Sequence, residues 1–498
     1  MGGNAVIGRT KQELGRVLVP LALAQFICSF AGSNMNVMIN DMSQDLNTTV
    51  KGIQTAITIF LLVMAALMIP CGKLTDLWGR KRLFIIGLSL YGVGAVTSAL
   101  APNLFVLILG NSILEGVGTA LLIPPVYILT TLLFTDITSR AWAFGVISGM
   151  GGIGAAAGPL IGGLITTAIS WRAAFIFQAL IIVIIIFLSR HAVQDPVPAD
   201  PSKPFDSMGA VLSATGLVVL VTGIMLADNN LLLMAIFMAA GALLLLWFFT
   251  HVRAKERKGE EPLLSTALFR NRTSNLGLIT QNVQWLILLG TSFVVSAYLQ
   301  VVRGYNAIET GVIFTAATAG ILASSIAAER LAKRHAQRTL VIVGFIVTLC
   351  GIALLVAMVY GNPSAWAFNP GLLLIGLGVG AMLTPSVNLV QSSFPNELQG
   401  EISGLSRSVS NLGSSLGTAV AGTILLTWSY GSAMITLAGL GLVGLVAAFM
   451  LPTNLVPAKP GHPPDWPDRH HLTYRAPLPA RGASRAALAI PAAVRDDA

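Results

Sequence analysis

One carboxyl group in this chain stands where charge is expensive. Of the 21 Asp and Glu residues, only Glu115 lies deep inside an apolar run. It falls about twelve residues beyond Asn103, or roughly 18 Å along a helix rising 1.5 Å per residue. Asn111 and Thr119 lie four residues to either side and share its face. A carboxyl in that setting can be neutral in one state and ionised in another, as a proton-coupling site or a counter-charge for a cationic cargo requires. The structural alternative is a permanently protonated Glu bonded to a neighbour. Two polar stripes accompany it. Gln25, Ser29, Ser33, Asn36 and Asn40 follow one another at intervals of three or four residues, and Gln281, Trp285, Ser292 and Ser296 hold one face of a later segment. Amides, hydroxyls and one large aromatic suit a cleft for an amphipathic organic compound better than a site for an inorganic ion. Hydrogen bonding between buried helices is the competing explanation.

The surroundings say what must position these residues. Of 498 residues, 54% are apolar and only 10% charged, against roughly a quarter charged in soluble domains. Mean hydropathy is +0.77. These values exclude a cytosolic enzyme, a disulfide scaffold and a nucleic-acid-binding domain, and they make the lipid bilayer the chain's main partner. Cys28, Cys71 and Cys350 sit in apolar segments at unrelated spacings, and the six histidines read as loop or tail residues. No metal site, cofactor or catalytic cluster is expected.

Apolar runs of about 20 residues, enough to cross a bilayer, occur at 17–40, 53–71, 83–101, 103–133, 141–168, 172–190, 207–227, 231–250, 274–301, 308–328, 339–360, 370–391, 402–428 and 430–451. An all-α polytopic membrane protein with 14 spans follows. Threading the chain from a cytoplasmic N-terminus puts every Lys and Arg on that side except Lys51, Arg172 and Arg303. That asymmetry accounts for the net charge of +9 as a topology signal and puts both termini in the cytoplasm. The first run lacks a small-residue cleavage site and reads as a retained span.

The chain also repeats itself. Gly116-Val-Gly118 followed by Pro125 returns as Gly376-Leu-Gly378 followed by Pro385, at an offset of 260. Gly145, Gly154, Gly158 and Gly162 return as Gly404, Gly413, Gly417 and Ala421, at an offset of 259. Two neighbouring spans repeating at nearly one interval predict two copies of a six-helix bundle. The expected parts are a cytoplasmic N-terminus at 1–16, a bundle at 17–190, an inserted pair at 207–251, a second bundle at 274–451 and a disordered cytoplasmic tail at 452–498. Twin bundles of this kind enclose a cleft and expose it alternately by rocking.

The loop Gly72-Lys-Leu-Thr-Asp76-Leu-Trp-Gly79-Arg80-Lys81-Arg82 resembles the signature of the major facilitator superfamily between its second and third helices. Gly154-Ala-Ala-Ala-Gly158-Pro159-Leu-Ile-Gly162-Gly163 resembles the antiporter motif of that superfamily's drug exporters. Trp171-Arg172 with Phe175, and the block from Gly400 to Gly417, are similar to its fourteen-span drug:proton antiporter subfamily. The resemblance implies two pseudo-symmetric bundles in the cell membrane and efflux of drug-like amphipathic compounds in exchange for protons. It also implies a gate in which Asp76 meets a helix N-terminus of the other bundle near Glu401–Gly404. The sequence departs from the family in two places. Ala31 stands where the first span usually has an acid, and Ser112 with Glu115-Gly116 replaces the usual Arg and Gln-Gly. The acid has moved from the first helix to the fourth, or the transport is uncoupled or differently coupled. An exporter of one specific metabolite or lipid, and a receptor or scaffold that transports nothing, remain as other readings. A monomer is expected.

Overall fold

The computed structural model describes residues 11–134, 137–193, 195, 199–202, 204–226, 230–332, 336–359, 364–394 and 399–452. Residues 1–10 and the tail from 453 onward lie outside the described residues. The long helices are α1 (Lys11–Asn34, continuing through a tighter turn at Met35–Met38 into Ile39–Asp45), α2 (Val50–Trp78), α3 (Arg80–Ala99) and α4 (Leu104–Leu133). They continue with α5 (Ile137–Ala168), α6 (Trp171–Ala192), α7 (Ser207–Met225), α8 (Leu231–Lys258) and α9 (Arg272–Val302). The remainder are α10 (Ala307–Ala332), α11 (Gln337–Val359), α12 (Asn369–Gln391), α13 (Gln399–Thr427) and α14 (Tyr430–Phe449). No strand occurs among the described residues.

Among these residues, thirteen helices are long and apolar enough to cross a bilayer. The fourteenth, α5, bends by 42° between Gly145–Ala155 and Ala157–Ala168. Pro159 explains the bend, because a proline ring collides with the carbonyl four residues earlier, here that of Ala155. Helix starts are satisfied locally. The side chains of Thr49, Asn103, Ser170, Asp206, Asn230, Asn271 and Ser429 each accept a backbone N–H from the first turn of the helix that follows. Such caps spare orphan donors at the membrane boundary. The N-cap of α2 and that of α6 bring polar groups to the face opposite the basic loops, and Arg172 there pairs with Asp45.

The packing pattern repeats with the sequence. In the first bundle α1 packs on α5 and α6, α4 packs on α2 and α3, and α3 packs on α6. In the second, α9 packs on α13 and α14, α12 on α10 and α11, and α11 on α14. Two long seams join the bundles, α2 against α13 and α5 against α10, and each is the image of the other. Two glycines show how literal the repetition is. A Cβ on Gly154 would lie 2.3 Å from the Phe26 carbonyl oxygen of α1, and one on Gly413 would lie 2.2 Å from the Asn282 carbonyl oxygen of α9. Both positions need bare backbone for close helix approach.

The inserted pair α7–α8 lies beside the α2–α13 seam, with α7 touching both helices. The outer side of α8 is an apolar surface; Leu231, Leu243 and Leu246 are more than half exposed, as lipid-facing residues should be. Its lower end is polar. His251, read from the sequence as a loop residue, lies on the last turns of α8 and bonds Asp206 at 2.9 Å, because the helix runs on to Lys258.

Candidate functional site

The two polar stripes meet. Asn36 Nδ2 of α1 donates to Ser292 Oγ of α9 at 3.1 Å, across the boundary between bundles. Gln300, on the closing π-helical turn of α9, donates to the Asn36 carbonyl at 2.8 Å and accepts from the Asn40 backbone N–H at 3.0 Å. The second stripe did not include Gln300, which lies four residues beyond Ser296 on the same helix. Elsewhere the stripes turn away from each other. Gln25 accepts from the Tyr127 hydroxyl of α4 at 3.1 Å and donates to Ser29 Oγ at 3.2 Å. Ser33 bonds its own helix and faces Gly158. Gln281 accepts from Ser406 Oγ of α13 at 2.8 Å, a bond within the second bundle. Trp285 is half-buried, and Ser296 is buried with no partner for its hydroxyl. In this conformer the bundles touch where the stripes were expected to line an opening.

Glu115 is fully buried at the end of a π-helical stretch, Ile108–Glu115, in α4. Wide turns of this kind often mark functional positions. Oε1 accepts from Ser98 Oγ of α3 at 3.2 Å, while Oε2 has no partner. The Tyr91 hydroxyl, which donates to Gln178 Oε1 of α6 at 2.5 Å, lies within reach of the same carboxyl. Gly94 makes room for it; a Cβ there would stand 2.8 Å from Glu115 Cγ. Glu115 therefore occupies the α3–α4 seam of the first bundle and points at neither lipid nor the second bundle. Asn111 is also buried, and neither end of its amide has a partner.

The α2–α13 seam is an antiparallel ladder of polar ties. Gln54 Nε2 donates to the Thr418 and Ala419 carbonyls at 3.1 and 3.2 Å. Ser415 Oγ donates to the Thr58 carbonyl at 3.1 Å, and Ser408 Oγ to the Ala65 carbonyl at 2.5 Å. At the basic end Lys73 Nζ pairs with Glu401 Oε1 at 2.7 Å. Glu401 Oε2 accepts the Ser265 backbone N–H at 3.1 Å, which ties in the segment that leaves α8.

The basic loop itself is anchored within the first bundle. Gly79 adopts φ +88°, a conformation open chiefly to glycine. That turn aims the Arg80 and Lys81 backbone N–H groups at Asp195 Oδ2, at 2.6 and 3.4 Å. Lys81 Nζ donates to the Arg190 carbonyl at 2.9 Å. Asp195 was readable only as part of a linker, since nothing in its spacing marks it as an anchor. Gly72 lies inside α2, and Arg82 carries the chain into α3. The Asp76 side chain lies outside what the structure describes. Of the antiporter-motif residues, Gly158, Pro159 and Gly162 face α1 or α10, and Gly163 faces Ala307 of α10.

A further cross-bundle contact lies one step inward from the Lys73–Glu401 pair. Arg407 of α13 sits over the Tyr127 ring at 4.5 Å and donates to its hydroxyl. The pair borders a shallow recess lined also by Met68, Ile123, Ser403 and Gly404.

Twin six-helix bundles joined by two equivalent seams define a pseudo-symmetric polytopic membrane protein of the kind transporters use. Comparison with known proteins agrees. The profile described as Major Facilitator Superfamily matches residues 21–227 and 205–418. The chain belongs to this superfamily. It is 28% identical over 412 residues to the puromycin resistance protein pur8 of Streptomyces alboniger, covering 82% of this chain and 81% of the relative. Identity to the multidrug efflux pump LfrA of Mycolicibacterium smegmatis is 27%, covering 85% and 83%. Identity to the riboflavin transporter RibZ of Clostridioides difficile is 26%, covering 81% and 86%.

Proposed function

We propose that this protein exports small amphipathic organic compounds across the cell membrane by proton antiport, with the basic face cytoplasmic. The observation that carries the reading is the pair of equivalent seams, since a pseudo-twofold packing lets one bundle rock on the other without new contacts having to evolve. The names of relatives such as a puromycin resistance protein and a multidrug efflux pump support efflux of drug-like cargo.

In this cycle, cargo enters from the cytoplasm or inner leaflet between α4 and α13, beside Tyr127 and Arg407. Closure forms the Lys73–Glu401 pair and opens the far side, where the Asn36–Ser292 and Asn40–Gln300 ties must break. Glu115 takes up and returns the coupling proton. Its unpartnered oxygen, with Ser98 and Tyr91 close by, suits a carboxyl that exchanges a proton as α3 and α4 shift. The domain boundaries follow the same scheme, with bundles at 17–190 and 274–451 moving against each other and the pair at 207–251 riding beside one seam.

The test is efflux from reconstituted vesicles with and without an imposed pH gradient. Efflux that collapses on adding an uncoupler supports antiport. Efflux that persists favours an uncoupled exporter, and absence of any transport favours a receptor or scaffold.

A further inference from the structure

Beyond the Lys73–Glu401 pair, the first formal charge met going inward between the bundles is Arg407. It lies six residues past Glu401, roughly 9 Å into the span at 1.5 Å per residue. An arginine at such depth is costly unless something uses it. No carboxylate neutralises it among the described residues; its contacts are the ring and hydroxyl of Tyr127. A guanidinium carries five N–H donors, so most of its capacity is unspent. The aromatic face holds the cation in place but leaves its charge intact. The side chain is half-buried and borders the recess between α2, α4 and α13. Behind it the Tyr127 hydroxyl donates to Gln25 Oε1, and Gln25 donates to Ser29 Oγ. This polar chain crosses from the second bundle to the first. The buried carboxyl of Glu115 is enclosed between α3 and α4 and offers nothing to a ligand between the bundles.

We infer that Arg407 is the headgroup-recognition residue of the transport cleft and that the cargo class is amphipathic organic acids. A carboxylate or sulfonate would take the guanidinium's free donors as a two-point, charge-assisted pair. The apolar body would lie on Met68 and Ile123. Occupancy would displace the Arg407–Tyr127 bond, and with it one of the ties that hold α13 to α4. This inference rests on the transporter reading above and names its substrate class.

The experiment uses the full chain and three probes with one fluorophore: pyrenebutyrate, pyrenebutanol and a pyrenebutyl-trimethylammonium salt. Binding is measured in detergent and movement is measured in phosphatidylcholine vesicles, so that no anionic lipid competes. The wild type should bind and move the carboxylate in preference to the ammonium. Arg407→Gln should lower the carboxylate-to-alcohol affinity ratio roughly ten- to hundredfold, the range for losing a hydrogen bond to a charged group. Arg407→Lys should restore part of that ratio. Equal weakening of all three probes by Arg407→Gln, or wild-type preference for the ammonium, would overturn the inference while leaving efflux intact. Carboxylate-selective binding without movement of any probe would instead overturn the transporter reading alone.

Discussion

Asn36 and Ser292 sit on symmetry-related helices of different bundles and share one hydrogen bond of 3.1 Å. The bond joins α1 to α9 in their outer halves, away from the basic loops. Gln300 reinforces it through the Asn36 carbonyl and the Asn40 N–H. These contacts are made by side chains that an exposed cleft would leave bonded to water or cargo, so they belong to a state closed on that side. Replacing Asn36 and Ser292 by cysteines and joining them with a short thiol cross-linker should stop transport, and cleaving the linker should restore it. Transport that continues at full rate in cross-linked protein would remove α1 and α9 from the moving parts.

Lys73 and Glu401 should behave as a latch. Both side chains are about three-quarters buried, at 26% and 21% exposed. Lys73→Gln or Glu401→Gln should slow turnover several-fold while changing cargo affinity little. The swapped pair Lys73→Glu with Glu401→Lys should recover part of the rate. Glu401→Gln should be the more damaging single change, because it also weakens the bond from Ser265. Turnover and binding measured on the same vesicles decide the point.

Glu115→Gln should abolish efflux driven by a pH gradient yet leave a folded protein, since Gln fits the space and keeps an acceptor for Ser98. Exchange of labelled for unlabelled cargo without a gradient should survive. Unchanged gradient-driven efflux would dismiss Glu115 from the mechanism. Gly94→Ala should lower stability as well as efflux, because its Cβ would meet the Gly110 carbonyl and the Glu115 backbone as well as the carboxyl side chain.

Asp206 supplies a pH prediction outside the membrane. Burial pushes its carboxyl up, but donation from His251 and from the Gly209 and Leu263 N–H groups, with the charge of Lys255, pulls it below the ordinary value overall. A carboxylate lowered on folding stabilises the fold above its unfolded value, near pH 3.9, and that contribution disappears as pH falls through the folded value. The clamp between α7, α8 and the segment at Leu263 should therefore hold at neutral pH and release only in acid below about pH 4. Asp206→Asn should cost about 1–3 kcal/mol at neutral pH and much less in acid. Thermal unfolding across pH measures both.

Gly154→Ala and Gly413→Ala should destabilise to a similar degree, about 1–3 kcal/mol each for overpacking a close helix contact. A Cβ added at either glycine would run into the backbone carbonyl of the facing helix, Phe26 at Gly154 and Asn282 at Gly413. A large effect at one and none at the other would argue against equal packing of the halves.

Much of the architecture was legible in the sequence. Span positions depend on hydropathy and the basic asymmetry on where Lys and Arg fall between spans, and both are local and additive along the chain. The repeat in Gly116–Pro125 and Gly376–Pro385 is a property of spacing. The family assignment also followed from contiguous motifs, because Gly72–Arg82 and Gly154–Gly163 are each read within one helix or loop.

What the sequence withheld was partnership. Helical spacing puts Gln25 and Asn36 on one stripe, but Gln25 bonds Tyr127 within its own bundle and Asn36 bonds Ser292 across the divide. Glu115 could be recognised as buried, yet its enclosure by Ser98 and Tyr91 rather than by a cleft depends on how α3 rotates against α4. Arg407 counted in the sequence only as one more basic residue on one side. Its contact with Tyr127 joins positions 280 residues apart, and no local rule links them. Hydrophobicity fixes how deep a side chain sits, because that depends on its own helix. Which group it faces is set by the packing of several helices at once, and only the tertiary structure decides that.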